Sequence, residues 1–368
     1  DTDTVGTYTL TYSATDASNN TGTTTRTVNV VDTVQDGFLI KGPLKGAIVF
    51  GDYNGDGIQN INEPSAITAS DGSYSFDLNS TTPDSFTVVA RMTKDTVDSG
   101  SGESFADTRI TLVAPSGASV VTPLTNLLVA AQKANNSYTE ADLLEDFNLP
   151  EGVDVISFQP FSDDVDVNAA HEAETVFQQI TTAQLVIARA MEGVSNLAGA
   201  GSELSSTGAS ESALNSIVSL VLDSDSTIDL SESTQIKQLQ TFVKEELSSS
   251  GVDVPDSLAD VILNEASDTV ASVAKAFESL TPADFGTPAS AAVSKLKEDA
   301  AKELETLSEA TVDFVASELG IDVNSEELDA EQLALIEDVF VDEDSTFDSS
   351  ESITLSTSTG LNAAFEIN

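Results

Sequence analysis

The chain has 368 residues, and 62 Asp and Glu against 14 Lys and Arg give it a formal charge of −48, about one uncompensated negative charge for every eight residues. A surface this acidic repels phosphates and anionic headgroups, which disfavours nucleic acid and peripheral membrane docking and makes cations the natural partners. With no Cys and a single His, His171, the chain lacks parts for disulfide frameworks, thiolate or His-based zinc sites, cysteine nucleophiles and histidine triads, whereas a hydrophobic fraction of 40% suffices to bury cores in two to four domains.

From residue 1 to about Val121 the apolar residues alternate in short runs separated by Asp, Asn, Gly and Ser, the pattern of β-strands. Tyr8, Leu10, Tyr12 and Ala14 alternate with Thr and Ser, residues 15–22 turn the chain, and Thr27-Val28-Asn29-Val30-Val31 returns it as the second arm of a hairpin. Two strands are marginal alone in water, so residues 1–35 read as half of a larger β-domain, and the chain as beginning inside it. Short strands follow at Phe38–Ile40, Ala47–Phe50, Ser73–Phe76, Ser85–Ala90 and Thr108–Val113, enough for a small β-sandwich over 36–121 with turns such as Asp71-Gly72.

Near Thr122-Pro123 the period lengthens to that of helices, with Pro in a first turn that tolerates it. Leu124, Leu127, Leu128 and Ala131 recur at helical spacing. Further amphipathic stretches centre on Phe177 to Val194, Leu214 to Val221, Ile236 to Leu247, Leu258 to Leu280, Val293 to Leu319 and Leu333 to Phe340. Each stripe covers one face, which predicts an α-helical bundle over 122–341 with acidic outer surfaces. Residues 342–368 turn Ser/Thr-rich and strand-like again, with Ile353, Leu355, Phe365 and Ile367 in alternation. Residues 223–233 and 342–352 agree at eight of eleven positions, an internal echo that follows an apolar helical stretch each time.

One motif carries chemistry. In residues 52–63, Asp52, Asn54 and Asp56 stand at positions one, three and five of a twelve-residue calcium loop, Gly57 at the turn position six, the Ile58 carbonyl at seven, Asn60 at nine and Glu63 at twelve. A hard divalent cation needs six to eight oxygens, and carboxylates held this close repel one another unless a cation neutralises them. The flanks are strand-like, so the expected Ca2+ is structural, stiffening an inter-strand loop, and the near-millimolar calcium of extracellular modules suffices. The two echoes, with Asp223, Asp225, Asp229 and Glu232, then Asp342, Asp344, Asp348 and Glu351, lack a turn glycine. They read as solvated turns or helix caps, Asp229 to Glu232 having capping-box spacing. Residues 162–166 read as a solvated helix start, and His171, near that start, as structural. No Gly-x-Ser-x-Gly elbow, phosphate loop or Gly-x-Gly-x-x-Gly stands anywhere in the sequence, so no catalytic residue is assigned.

Three segments resemble modules of giant bacterial surface proteins. Residues 5–33, through Thr7-Tyr8-Thr9-Leu10-Thr11-Tyr12 and Arg26-Thr27-Val28-Asn29-Val30, resemble the last two strands of an immunoglobulin-like repeat of the hyalin-repeat type. Residues 36–115, with Gly46-Ala47-Ile48-Val49, the loop 52–63 and Ser70-Asp71-Gly72-Ser73-Tyr74, resemble the B-type repeats of serine-aspartate surface proteins. That likeness implies a prealbumin-like sandwich carrying a calcium loop and serving as a stiff spacer. Residues 122–200, opening Thr122-Pro123-Leu124-Thr125-Asn126-Leu127-Leu128, are similar to a helical module found beside such domains in adhesins of marine bacteria.

The expected architecture is therefore multidomain, all-β followed by all-α: Ig-like strands, a small sandwich, a helical bundle and a C-terminal strand segment. The expected function is that of a secreted or cell-surface structural and adhesive segment, stiffened by calcium, non-enzymatic, and with no membrane-spanning run. Its partners are neighbouring copies or domains of the same protein through β-strand pairing, or a host or environmental surface ligand. The alternative is a self-assembling subunit of an extracellular filament or surface layer, joined by strand complementation. A secreted hydrolase with accessory β-domains is the weakest reading, for want of a site.

Overall fold

In the computed structural model of the chain, residues 6–30, 34–78, 82–83, 85–100, 102, 104, 110–162, 164–197, 204–224, 226–252 and 256–282 are described. The helical stretches expected at 293–319 and 333–340, the tail 342–368 and the second echo lie outside them.

The N-terminal hairpin is β1 (Gly6–Thr15) paired antiparallel with β2 (Thr21–Val30), in unbroken register from Gly6 opposite Val30 to Thr15 opposite Thr21. The second arm starts six residues earlier than the sequence pattern indicated, because threonine-rich stretches pair readily without apolar alternation to announce them. Asp16 closes the turn, its carboxylate accepting from the Ser18 and Asn20 amides and from the Asn20 side chain, while Asn19 takes the left-handed region at φ 64°. Directly opposed residues share a face. Tyr8, Leu10, Tyr12 and Ala14 therefore lie beside Val28, Arg26, Thr24 and Gly22, and on the other face Thr9, Thr11, Ser13 and Thr15 lie beside Thr27, Thr25, Thr23 and Thr21.

The strands of the second β-region are β3 (Val34–Leu39), β4 (Leu44–Lys45), β5 (Ile48–Asp52), β6 (Ser65–Ile67), β7 (Ser73–Asp77), β8 (Thr87–Arg91), β9 (Val97–Asp98), β10 (Thr111–Pro115) and β11 (Val120–Val121). They form a four-stranded sheet in the order β10-β8-β5-β6, a three-stranded sheet β11-β3-β7 and a small pair β4-β9. The two larger sheets enclose one core, in which Val49, Val88, Ala90, Leu112 and Ala114 of the first meet Leu39, Tyr74, Phe76 and Val121 of the second. Alternation puts these residues inward while Ser73 and Ser75 face out. At the Asp71-Gly72 turn, Gly72 has φ +79° and a Cβ there would fall 2.5 Å from the Leu39 carbonyl oxygen, so only glycine fits. The five predicted strands are present with shifted ends. The two- and three-residue strands β4, β6, β9 and β11 are additions, too short to show a period.

Six helices follow among the described residues: α1 (Pro123–Ala134), α2 (Glu140–Asp146), α3 (Val167–Leu197), α4 (Ser206–Asp223), α5 (Ser233–Ser249) and α6 (Asp256–Glu278). Thr122 caps α1 in a reciprocal box with Thr125, and Pro123 sits in the first turn as its spacing indicated. α3 is the axis of this part, packing on α1, α4, α5 and α6. Here the one-face expectation fails. From Glu174 to Met191 nearly every side chain of α3 is buried, and its glutamines reach out to α4 and α6. Gln179 donates to the Ala274 carbonyl and to Glu278 on α6, and Gln184 to the Ser210 carbonyl and hydroxyl on α4. A helix surrounded on all sides needs such partners, since a buried amide without a hydrogen bond is costly.

Packing continues across the change of period at Thr122. Ile40 and Val120 belong to the helical core, and Ile156 and Leu185 pack against the sandwich core. The Ser119 amide donates to the Ile156 carbonyl at 2.8 Å, and Gln178 on α3 donates to the Lys41 carbonyl at 3.0 Å. No helix among the described residues is long and apolar enough to cross a membrane.

Candidate functional site: the loop between β5 and β6

β5 delivers Asp52 to the mouth of the loop, and the antiparallel pairing of β5 with β6 holds the two ends together, the Gly51 amide donating to the Pro64 carbonyl at 3.0 Å. Asp52 and Glu63, the first and last residues of the motif, are both buried, at 3% and 7% exposure. Each is met by backbone amides. Asp52 accepts from Gly55 at 2.7 Å through one oxygen and from Gly57 at 2.8 Å through the other, and Glu63 accepts from Tyr53 at 2.8 Å and Asn60 at 2.7 Å. Glu63 thus ties the first half of the loop to the second. Gly55 and Gly57 have φ +75° and +71°, the left-handed conformation that turns their amides inward.

The outer candidate ligands of the motif, Asn54, Asp56, Ile58 and Asn60, are exposed. Asn54 Oδ1 accepts from the Asp56 amide and Asp56 Oδ1 from the Ile58 amide at 2.8 Å. The Asn60 side-chain nitrogen lies 2.9 Å from the Ile58 carbonyl oxygen and 3.1 and 3.3 Å from the Asp56 carboxylate oxygens. Three oxygens of the motif therefore converge on one positively polarised group. Donation by the Ile58 amide, then by Asn54 and Asn60, holds the Asp56 carboxyl below its ordinary pKa.

Among the described residues no three His, Asp or Glu side chains gather closely enough to hold a metal by themselves. The loop's donors are a mixed set of carboxylates, side-chain amides and one carbonyl, all oxygens, which is the chemistry of a hard cation. What sequence reasoning missed is the support behind them. The Tyr53 ring packs edge-on against Phe86 with centroids 5.4 Å apart, and its hydroxyl lies 2.8 Å from that of Thr82. An aromatic directly after the first ligand is the signal that was there to find.

The other candidates separate. Asp223 accepts from Gln238, and Asp225 lies outside the described residues. Asp229 is not the N-cap that its spacing indicated: its carboxylate accepts from the Ser231 amide and hydroxyl, and Glu232 is the residue before α5, without a side-chain cap. The neighbouring Ser231 captures the carboxylate two residues before the helix starts. In the run 162–166, Asp163 lies outside the described residues and Asp166 does begin a helix, accepting from the Asn168 and Ala169 amides at the start of α3. The His171 ring lies 3.1 Å from the Leu280 carbonyl oxygen, bracing α3 against the residues after α6.

Residues 1–30 match the model of a family described as bacterial surface protein, Ig-like domain. No curated protein and no solved structure matches the chain. The hairpin is thus similar to an Ig-like module of bacterial surface proteins, which points to the cell surface or the exterior as the place where the chain resides.

Proposed function

We propose that the chain is a non-catalytic structural or adhesive segment of a large bacterial surface protein, and that the loop 52–63 binds one calcium ion that stiffens its sandwich. The observation that carries this reading is the grip on Asp52 and Glu63. The two carboxylates that open and close the motif are buried, and backbone amides from within the loop fix all four of their oxygens. Such a loop has its shape before an ion arrives, so little ordering entropy opposes binding. Asp52, Asn54, Asp56, the Ile58 carbonyl, Asn60 and Glu63 would hold the ion. Bound calcium supplies the positive charge that three carboxylates lack, and it links the two halves of an exposed loop. The likeness of residues 1–30 to a surface Ig-like domain and the resemblance of the sandwich to calcium-bearing spacer repeats support an extracellular setting, where calcium is abundant.

Titration calorimetry and thermal melts with calcium and with a chelator test this reading. Calcium at 100 times its dissociation constant is expected to stabilise the chain by about 2.7 kcal/mol. Chelation, or Asp56→Ala, is expected to lower the melting of the β-part and leave the helical part nearly unaltered. No heat of binding and an unchanged melt would end the proposal.

A further inference from the structure

The loop 52–63 holds a covalent chemistry besides its oxygens. Asn54-Gly55 is the one Asn-Gly step in the chain. Asparagine is among the chemically labile residues, and a following glycine, with no side chain to obstruct the approach, lets its own amide nitrogen reach the carbonyl carbon of the Asn side chain. Asn54 and Gly55 are both exposed, and a Cβ built on Gly55 would meet no atom within 4 Å, so water has access and neighbouring side chains do not crowd the bond.

The folded loop restrains both reacting groups. The attacking atom is the Gly55 amide nitrogen, and its N–H is donated to Asp52 Oδ1 at 2.7 Å. That nitrogen must shed its proton to attack, and the buried Asp52 carboxylate beside it opposes the negative charge that would follow. The group attacked is the Asn54 side-chain amide, and Asp56 holds both of its ends. Asn54 Oδ1 accepts from the Asp56 amide at 3.1 Å, and Asn54 Nδ2 donates to Asp56 Oδ2 at 2.7 Å. Ring closure requires that these contacts break, so the reactive form is an opened loop.

We propose that Asn54-Gly55 is a self-modification site that the closed loop guards, and that calcium, by keeping the loop closed, sets how fast it reacts. On opening, the Gly55 nitrogen bonds to Asn54 Cγ, the bond from Cγ to Nδ2 breaks, and the proton lost by the Gly55 nitrogen leaves with Nδ2 as ammonia. Water then opens the resulting cyclic imide at either carbonyl. Attack at Cγ gives aspartate, and attack at the main-chain carbonyl gives isoaspartate, with no change of oxidation state. Isoaspartate carries the chain through Cβ, which adds a backbone atom between Asp52 and Asp56 and spoils the ligand spacing. Loss of calcium would thus be recorded irreversibly at residue 54. The guard by the fold stands without calcium, whereas its control by calcium rests on the function proposed above.

Peptide mass spectrometry of the chain, aged in calcium chloride, in a chelator and in urea, measures the rate at Asn54 directly. The exposed Asn136-Ser137 step between α1 and α2 is the internal reference. Deamidation at Asn54 should be fastest in urea, slower in chelator and slowest in calcium. Because the opened loop does not bind the ion, calcium at 100 times its dissociation constant should slow the reaction about 100-fold relative to chelator. The rate at Asn136 should be the same in both. In calorimetry of the aged chain, the fraction carrying isoaspartate should be missing from the calcium stoichiometry. A rate in chelator equal to that in urea would overturn the guard. Equal rates in calcium and chelator, in a chain whose calorimetry records binding, would overturn the control by calcium and leave the proposed function standing. So would an equal slowing at Asn136, or full stoichiometry in isoaspartate-bearing chains. The absence of any binding heat would instead end the calcium reading, with the guard still judged by chelator against urea.

Discussion

The loop 52–63 and helix α3 both keep polar side chains out of water, and they satisfy them in opposite ways. In the loop, every partner of Asp52 and Glu63 is a backbone amide from the same dozen residues. In α3, Gln178, Gln179 and Gln184 find their partners 137, 95 and 26 residues away. The loop is a local device, and the calcium proposed for it would tighten it without moving the rest of the chain. α3 is a long-range fastener, and nothing can alter it without disturbing its neighbours.

The harshest test of that contrast is Ile180→Ala. Ile180 is 1% exposed in the helical core, and the truncation should cost about 2–5 kcal/mol by the lost transfer energy and the cavity left behind. Denaturant melts should record that loss while the calcium midpoint stays put; a shifted midpoint would show that the loop is not local after all. Gln178→Ala should cost about 1–3 kcal/mol, because the buried Lys41 carbonyl loses its amide donor. Asn60→Ala, at an exposed loop position, should cost under about 0.5 kcal/mol without calcium and reveal itself only when calcium is added. Gly57→Ala meets no neighbouring atom but must hold φ +71°, so roughly 1 kcal/mol is expected from backbone strain, with calcium affinity falling alongside stability.

The smallest expected effect is a difference in pH response. Desolvation raises the Asp146 pKa above 3.8, against the opposing pull of the hydrogen bond donated by Tyr138. The native state therefore holds that proton more tightly, and Asp146 adds stability as pH falls from its raised value toward 3.8. Asp56 does the reverse: its pKa lies below 3.8, so its contribution persists above that value and disappears as pH drops through the depressed one. Melts of Asp146→Asn and Asp56→Asn across the acid range should flatten one slope each, Asp146→Asn on the less acidic side.

The same contrast explains what could be read from the sequence. The loop 52–63 was legible as one unit because its six candidate ligands, from Asp52 to Glu63, fall within a single stretch of twelve residues. The start of α1 was legible because Thr122, Pro123 and Thr125 are neighbours. α2 was not, since seven residues with one buried side chain, Leu143, show no period, although Thr139 and Asp142 form a capping box that could have marked it. Gln178, Gln179 and Gln184 look like surface residues on any helical projection. Their burial depends on α4, α6 and the turn at Lys41 arriving around them, and no local pattern contains that. β11 was hidden for a similar reason: Val120-Val121 is a strand only because β3 lies beside it.

That last pairing sets how the sandwich would respond to tension. β3 opens the domain, β11 closes it, and the two run parallel as neighbours, Val120 beside Phe38 and Val121 beside Leu39. Tension pulling the chain apart draws the start of β3 one way and the end of β11 the other. The hydrogen bonds from the Phe38 amide to Ser119 and from the Ile40 amide to Val121 are then sheared together rather than unzipped in turn, the arrangement that best resists a steady drag along the chain.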